Sequence, residues 1–201
     1  MAATLSEVNA KLENLFDILN DAYFESKLPK PIITIQSRPG TYGHCSNDKR
    51  WKAGCVGWYE INIGAEVLNR AWKNTAATML HEMVHLYCRM NDLKETCQNG
   101  RYHNKLFKAE AEKRDLKIEY NSTIGYSVTE PTDALVSTLT NAGFSMKVVF
   151  ARDTPAKKET VRAARQKAIK YTCPMCGQAV RSTQDLHITC SLCDVKMKGD
   201  N

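Results

Sequence analysis

The sequence predicts an α+β fold in which a small sheet packs on helices, followed by a small cysteine-bound metal module at the C-terminal end. Three observations carry this expectation. A long helical segment contains His81-Glu82-Met83-Val84-His85, short runs rich in β-branched and aromatic residues precede it, and two Cys-x-x-Cys pairs lie near the end of the chain.

The chain has 201 residues, 43% of them apolar, enough for one principal core and a minor appendage. The expected organisation is a main domain over 1–150, a basic linker over 151–170 and a cysteine module over 171–201.

Thr4 and Glu7 form the pattern of a capping box, and Leu5, Val8, Leu12, Leu15, Phe16, Leu19 and Tyr23 recur behind it at helical spacing. This helix ends before Pro29 and Pro31. Ile32–Gln36 reads as a short strand, 38–47 as a polar loop, and 56–63 (VGWYEINI) as a second strand. Its edge is a candidate place for an extended substrate backbone to add as a further strand.

Asn74 to Met90 runs without Gly or Pro, with Ala77, Leu80, Val84 and Tyr87 on one face, and predicts an amphipathic helix. A polar connection over 91–102 leads to a helix from about His103 to Asp115, with Leu106, Phe107 and Ala111 turned inward. Beyond it, 133–141 reads as helical and 144–150 as a strand. Trp51, Trp58 and Trp72 read as core or groove walls.

The His81-Glu82-x-x-His85 spacing is what a metal hydrolase needs. Residues four apart project from one face of a helix, so both imidazoles can reach one tetrahedral Zn²⁺. Glu82 lies about 100° around the helix from His81, beside the ion, where it can hold a water molecule and take its proton. A catalytic zinc has three protein ligands and an open position. The metzincin pattern would require Gly at 88 and His at 91, and this chain has Cys88 and Asn91. His103, after a loop long enough to fold back over the metal, is the best remaining third ligand. Glu110, Glu112 and Cys97 are the alternatives.

HEMVHLY, a polar loop and then Asn99-Gly100-Arg101-Tyr102-His103-Asn104-Lys105-Leu106-Phe107 resemble the SprT-like metallopeptidases, a family that includes the Spartan protease acting on DNA-protein crosslinks. Tyr59-Glu60-Ile61-Asn62-Ile63 and the stretch to Leu68 are similar to the segment before that family's zinc helix. The resemblance covers most of residues 1–120. It implies a zincin-like metalloprotease domain, with His81, His85 and His103 as ligands of a catalytic zinc and Glu82 as acid/base. Relatives often place Gly directly after the third His, whereas Asn104 stands there in this chain, which bears on how the next helix begins. Tyr120, Tyr126 and several Arg are candidate oxyanion stabilisers, with nothing to choose among them.

Cys173-Pro-Met-Cys176 and Cys190-Ser-Leu-Cys193 are separated by 13 residues. Two such knuckles supply four thiolates for a closed tetrahedral site, with a hairpin between them, which is the pattern of a structural zinc in a zinc ribbon. A zinc ribbon is also common in the resembled family. So short a module cannot build an adequate core, so the metal must supply its folding energy. His187, between the knuckles, reads as a strand histidine rather than a replacement ligand. Cys45, Cys55, Cys88 and Cys97 read as reduced and partly buried; His44, Cys45 and Cys55 form a weaker metal candidate.

The net charge of +6 is concentrated. Lys147 to Lys170 contains eight Lys and Arg against Asp153 and Glu159. Such a segment attracts phosphate backbones, so DNA is an expected partner through residues 151–201, alongside a protein substrate. The alternative is a solvated linker. No run approaches the roughly 20 apolar residues of a membrane span, and the N-terminus lacks a basic region followed by an apolar one. A soluble, unsecreted monomer with no membrane partner is expected, in the cytoplasm and associated with the nucleoid, or nuclear in a eukaryote. Two functions fit these features: a zinc metalloendopeptidase acting on DNA-associated or crosslinked proteins, and a non-catalytic zinc protein that only docks on nucleic acid.

Overall fold

The computed structural model describes residues 3–38, 40–98, 100–153 and 168–200. The chain divides into two units, Met1–Thr154 and Pro155–Asn201. The architecture is mixed α+β, with four α-helices and several small sheets among the described residues.

Helix α1 (Leu5–Phe24) begins at the expected capping box, where the Thr4 hydroxyl accepts from the Glu7 amide and Glu7 Oε2 accepts from the Thr4 amide at 2.7 Å. Val8, Leu12, Leu15, Phe16 and Leu19 are buried along one face. After α1 the Asn20 side chain bonds both the amide and the carbonyl of Leu28, each at 3.1 Å, and turns the chain back.

Strand β1 (Ile32–Gln36) lies where the sequence predicts it. The region 38–47, expected as a loop, contains β2 (Gly43–Cys45), and the run 56–63 divides at Tyr59 into β4 (Val56–Trp58) and β5 (Glu60–Gly64). Strand β3 (Trp51–Ala53) pairs with β4 as a hairpin. The first sheet has the order β1-β5-β2, with β1 parallel and β2 antiparallel to β5. Strand β5 is thus central and paired on both sides, so it cannot offer an edge to a substrate; β2 can. Ile61 and Ile63 of β5 are fully buried in the core.

Helix α2 (Trp72–Met90) starts two residues earlier than the periodicity suggests. Thr75 to Leu86 and Cys88 are all buried, so α2 is enclosed rather than amphipathic. Its polar side chains, Thr75, Thr78, His81, Glu82 and His85, lie inside the protein.

The connection after α2 contains β6 (Thr96–Cys97), and His103 lies on β7 (Tyr102–His103) rather than in a helix. Helix α3 (Lys105–Glu112) follows, capped by Asn104, whose Oδ1 accepts from the amides of Leu106 and Phe107. The residue that departs from the resembled pattern therefore makes the helix entry. Strands β8 (Leu116–Asn121) and β9 (Gly125–Pro131) form a hairpin that the sequence did not reveal, and complete a four-stranded sheet of order β6-β7-β9-β8. Helix α4 (Asp133–Asn141) is as expected, with Thr132 as its cap.

Phe144, Met146 and Val148 are buried and alternate with exposed residues, as a strand would, but 144–150 joins no ladder. The basic residues 157, 158, 162, 165 and 167, and with them most of the linker expected over 151–170, lie outside the described residues. No described helix is long and apolar enough to cross a membrane.

The second unit contains β10 (Ile169–Thr172), β11 (Ala179–Ser182), β12 (Thr189–Cys190), β13 (Val195–Lys196) and β14 (Lys198–Asp200). They form a sheet of order β11-β10-β14 and the pair β12-β13. Its buried core is Tyr171, Cys173, Cys190 and Met197. His187 is exposed and outside any strand.

Candidate functional site

His81 and His85 stand one turn apart on α2, with ring centroids 5.0 Å apart. His103 reaches them from β7, with its centroid 5.1 Å from that of His81 and 4.9 Å from that of His85. The Nε2 atom of His85 lies 3.3 Å from that of His81 and 3.0 Å from that of His103. All three residues are at most 9% exposed.

What the opposite ring nitrogens touch assigns the protons. The Thr129 hydroxyl donates to the Ser127 carbonyl, which leaves its oxygen to accept from His81 Nδ1 at 2.8 Å. His85 Nδ1 donates to Glu95 Oε1 at 3.0 Å, and His103 Nδ1 donates to the Ile124 carbonyl at 3.3 Å. Each ring thus carries its proton on Nδ1 and turns a bare Nε2 lone pair toward the other two. Burial holds His81 and His85 well below the usual imidazole range, helped by repulsion from neighbouring rings, and burial lowers His103 as well. Three neutral lone pairs facing one another in a buried site repel unless a cation lies between them, and outward Nδ1–H donation is how imidazole ligands are oriented. These residues fit a zinc ion.

Phe107, fully buried on α3, floors this arrangement, with its ring 4.5, 4.7 and 4.6 Å from the centroids of His81, His85 and His103. Gly125 fixes the other side. It pairs with His103 at φ +73°, and a Cβ there would overlap the His103 carbonyl.

Glu82 is buried between α2 and β2. Burial pushes its carboxyl up to about 8, opposed by Arg89, the Cys45 amide and Arg38. Strand β2 passes so close that a Cβ on Gly43 would lie 2.8 Å from Glu82 Oε1. Arg89, two turns beyond Glu82 on α2, ties this strand down by donating to Cys45 Sγ and Asn47 Oδ1, each at 2.8 Å.

The other candidate third ligands stay away from the cluster. Glu110 is committed to Lys113 and Arg114, while Glu112 and Cys97 are exposed. His44, Cys45 and Cys55 are not drawn together as a metal group among the described residues. Cys45 and Cys88 are buried, but Cys55 and Cys97 are exposed rather than partly buried. Trp72 packs edge-on against Phe144, whereas Trp51 is exposed and donates to Glu60.

In the second unit the sulfurs of Cys173, Cys176, Cys190 and Cys193 all lie within 4.8 Å of one another. The amides of Cys176 and Met175 lower the Cys173 thiol to about 7, whereas contact with Cys176 and burial push Cys193 up to about 12. Four thiols so close, with backbone donors aimed at one of them, are compatible with zinc as well.

Sequence reasoning missed Glu95, Thr129, the Ile124 carbonyl, Gly43 and Gly125. None carries a spacing signal, because each reaches the site through folding of a loop or hairpin. Phe107 was legible as an inward residue, although not as the floor of the site.

No curated protein and no solved structure matches the chain. A family model described as the SprT-like family matches residues 12–124. That stretch runs from α1 to the hairpin turn that holds His103, and it takes in all three histidines and Glu82. Since the match covers more than half of its residues, the chain belongs to the SprT-like family.

Proposed function

We propose that this protein is a zinc-dependent metalloendopeptidase with a zincin-like catalytic domain, in which His81, His85 and His103 hold the catalytic zinc. Glu82 is the acid/base, and Cys173, Cys176, Cys190 and Cys193 hold a structural zinc in a ribbon. The observation that carries the reading is the convergence of three Nε2 atoms whose rings all give their Nδ1 protons outward. SprT-like proteins are associated with zinc metallopeptidase-like activity, and this agrees with it.

Zinc bound there supplies a Lewis acid that polarises the scissile carbonyl and acidifies water. Glu82, raised by burial and held partly ionised by Arg89 and the Cys45 amide, accepts a proton from water as the water oxygen adds to the carbonyl carbon. It then returns that proton to the amine as the C–N bond breaks, so one water and one peptide bond become a carboxylic acid and an amine. Burial favours the protonated carboxyl that this second step requires.

Strand β2 supports a place for the substrate. Tyr42 and Ser46 bond inward to β5, so the amide and carbonyl of Gly43 and the carbonyl of Cys45 point to the free edge, beside Glu82. An extended peptide can add there as a fourth strand. Replacing Glu82 with Gln is expected to leave bound zinc unchanged and abolish cleavage of an unfolded protein substrate. Cleavage at the wild-type rate by that variant rules out the role.

The substrate class we infer is DNA-associated or DNA-crosslinked protein, with DNA held through residues 151–201. In the second unit Lys170 stands between Arg181 across the β10-β11 ladder and Asp200 across the β10-β14 ladder, and with Lys198 on β14 the three strands carry three cations against one carboxylate. This excess of cations attracts a phosphate backbone. Removal of residues 151–201 is expected to weaken single-stranded DNA binding and flatten its salt dependence. Undiminished affinity would point to other contacts.

A further inference from the structure

The segment between α2 and α3 serves two of the three imidazoles. Glu95 is 5% exposed, and its Oε1 accepts the His85 Nδ1 proton at 3.0 Å. One residue further, Thr96 pairs with His103 across β6-β7, and the Asn104 amide donates to the Glu95 carbonyl at 3.0 Å. The partner of the second ligand and the third ligand itself therefore sit on the two arms of one ribbon, joined by backbone hydrogen bonds.

Among the groups that receive the three Nδ1 protons, Glu95 is the only carboxylate. His81 meets a hydroxyl and His103 a peptide carbonyl. A carboxylate at Nδ1 fixes the proton there and makes the opposite nitrogen a stronger electron donor, whereas an imidazole without a partner samples both tautomers. It also holds the ring in one orientation, which matters for His85 because its Nε2 is close to both other Nε2 atoms.

We propose that Glu95 is the positioning residue of the metal site: it holds His85 as the Nδ1–H tautomer and, through the β6-β7 ribbon, locks the second and third ligands into one unit. This rests on the reading of His81, His85 and His103 as a zinc site. The role belongs to Glu95 and not to its neighbours, since Glu110 is neutralised by Arg114 and Lys113 away from the rings.

The test is zinc affinity of the full-length protein by chelator competition, with the cysteine site as an internal control and His85→Ala marking the signal that belongs to the histidines. Glu95→Gln keeps the shape and an acceptor oxygen but loses the charge, and is expected to weaken the histidine site by about 10-fold; Glu95→Ala is expected to weaken it by about 100-fold. The cysteine site stays unchanged in both. In the metal-free protein, ring ¹⁵N shifts should report one His85 tautomer in wild type and a mixture in Glu95→Ala. Wild-type affinity in both Glu95→Gln and Glu95→Leu, the second of which keeps bulk but has no acceptor, would reduce the residue to space filling and overturn the proposal, even if Glu95→Ala misfolds. Wild-type protein whose zinc signal is indistinguishable from that of His85→Ala would instead overturn the histidine site on which it rests.

Discussion

Gly125 stands directly opposite His103 in the β7-β9 pairing, in a left-handed conformation at φ +73°, with the His103 carbonyl where a side chain would go. Ile124, the residue before it, accepts both the amide and the Nδ1 proton of His103. The turn of the β8-β9 hairpin is therefore the mould of His103, and a glycine makes the fit possible.

Gly125→Ala is expected to push His103 off its partners. The backbone conformation alone costs about 1 kcal/mol or more, and the overlap adds to it. Zinc at the histidine site should be lost while the cysteine site remains loaded. Metal analysis with thermal unfolding checks this, and wild-type zinc content in the variant would show that the hairpin has room to move.

Phe107 touches all three imidazoles from a fully buried position. Phe107→Ala should destabilise the protein by about 3–5 kcal/mol through the cavity it leaves. Phe107→Leu should cost less, because more of the volume is retained. Urea unfolding of both variants measures the difference; a loss below about 1 kcal/mol for Ala would mean the floor collapses without consequence.

Glu82 carries a stability cost in the metal-free protein, and its sign is fixed by burial. Glu82 has its carboxyl raised from 4.5 to about 8, so its contribution to stability is complete below pH 4.5 and disappears as pH rises through about 8. The histidines have the opposite sign: their lowered values give stability that is present above 6.5 and lost as pH falls. Glu82→Gln escapes the alkaline loss. It should be more stable than wild type by on the order of a few kcal/mol at pH 9, with the two converging near pH 4. Urea unfolding of chelator-treated protein at both pH values tests this, and a difference that does not change with pH contradicts it.

Among the described residues of the second unit, only Tyr171, Cys173, Cys190 and Met197 form a buried core. That is too little apolar burial to order so short a segment without metal. Cys190→Ser should collapse the dispersed amide signals of residues 169–200 in an NMR spectrum and leave those of the first unit in place. Retained dispersion would mean the strands hold themselves.

The parts of this molecule that were legible in the sequence are those with a short-range physical period. The four-residue step from His81 to His85 and the paired knuckles at Cys173 and Cys190 need only local geometry to bring their donors together. His103 was reachable by elimination among ligand types. The hairpin β8-β9 was hidden because its alternation is brief: Leu116 and Ile118 turn inward, and then a bulge between Glu119 and Asn121 breaks the period. Strand β2 was hidden because Gly43-His44-Cys45 carries no pattern of its own and is a strand only through its pairing with β5. Residues 144–150 show the reverse, since their alternation is real but no neighbour offers a ladder. Glu95 looked like one more charge in a polar loop, and only the fold brings it to His85.

The central claim is that three imidazoles share one ion and leave a position free for water. An anomalous-difference map at the zinc edge, on crystals of the purified protein, addresses it directly. A peak is expected about 2.0–2.1 Å from Nε2 of His81, His85 and His103 with no fourth protein ligand, and a second peak among the four cysteines. No peak between the histidines, or a fourth side chain bound there, would contradict it.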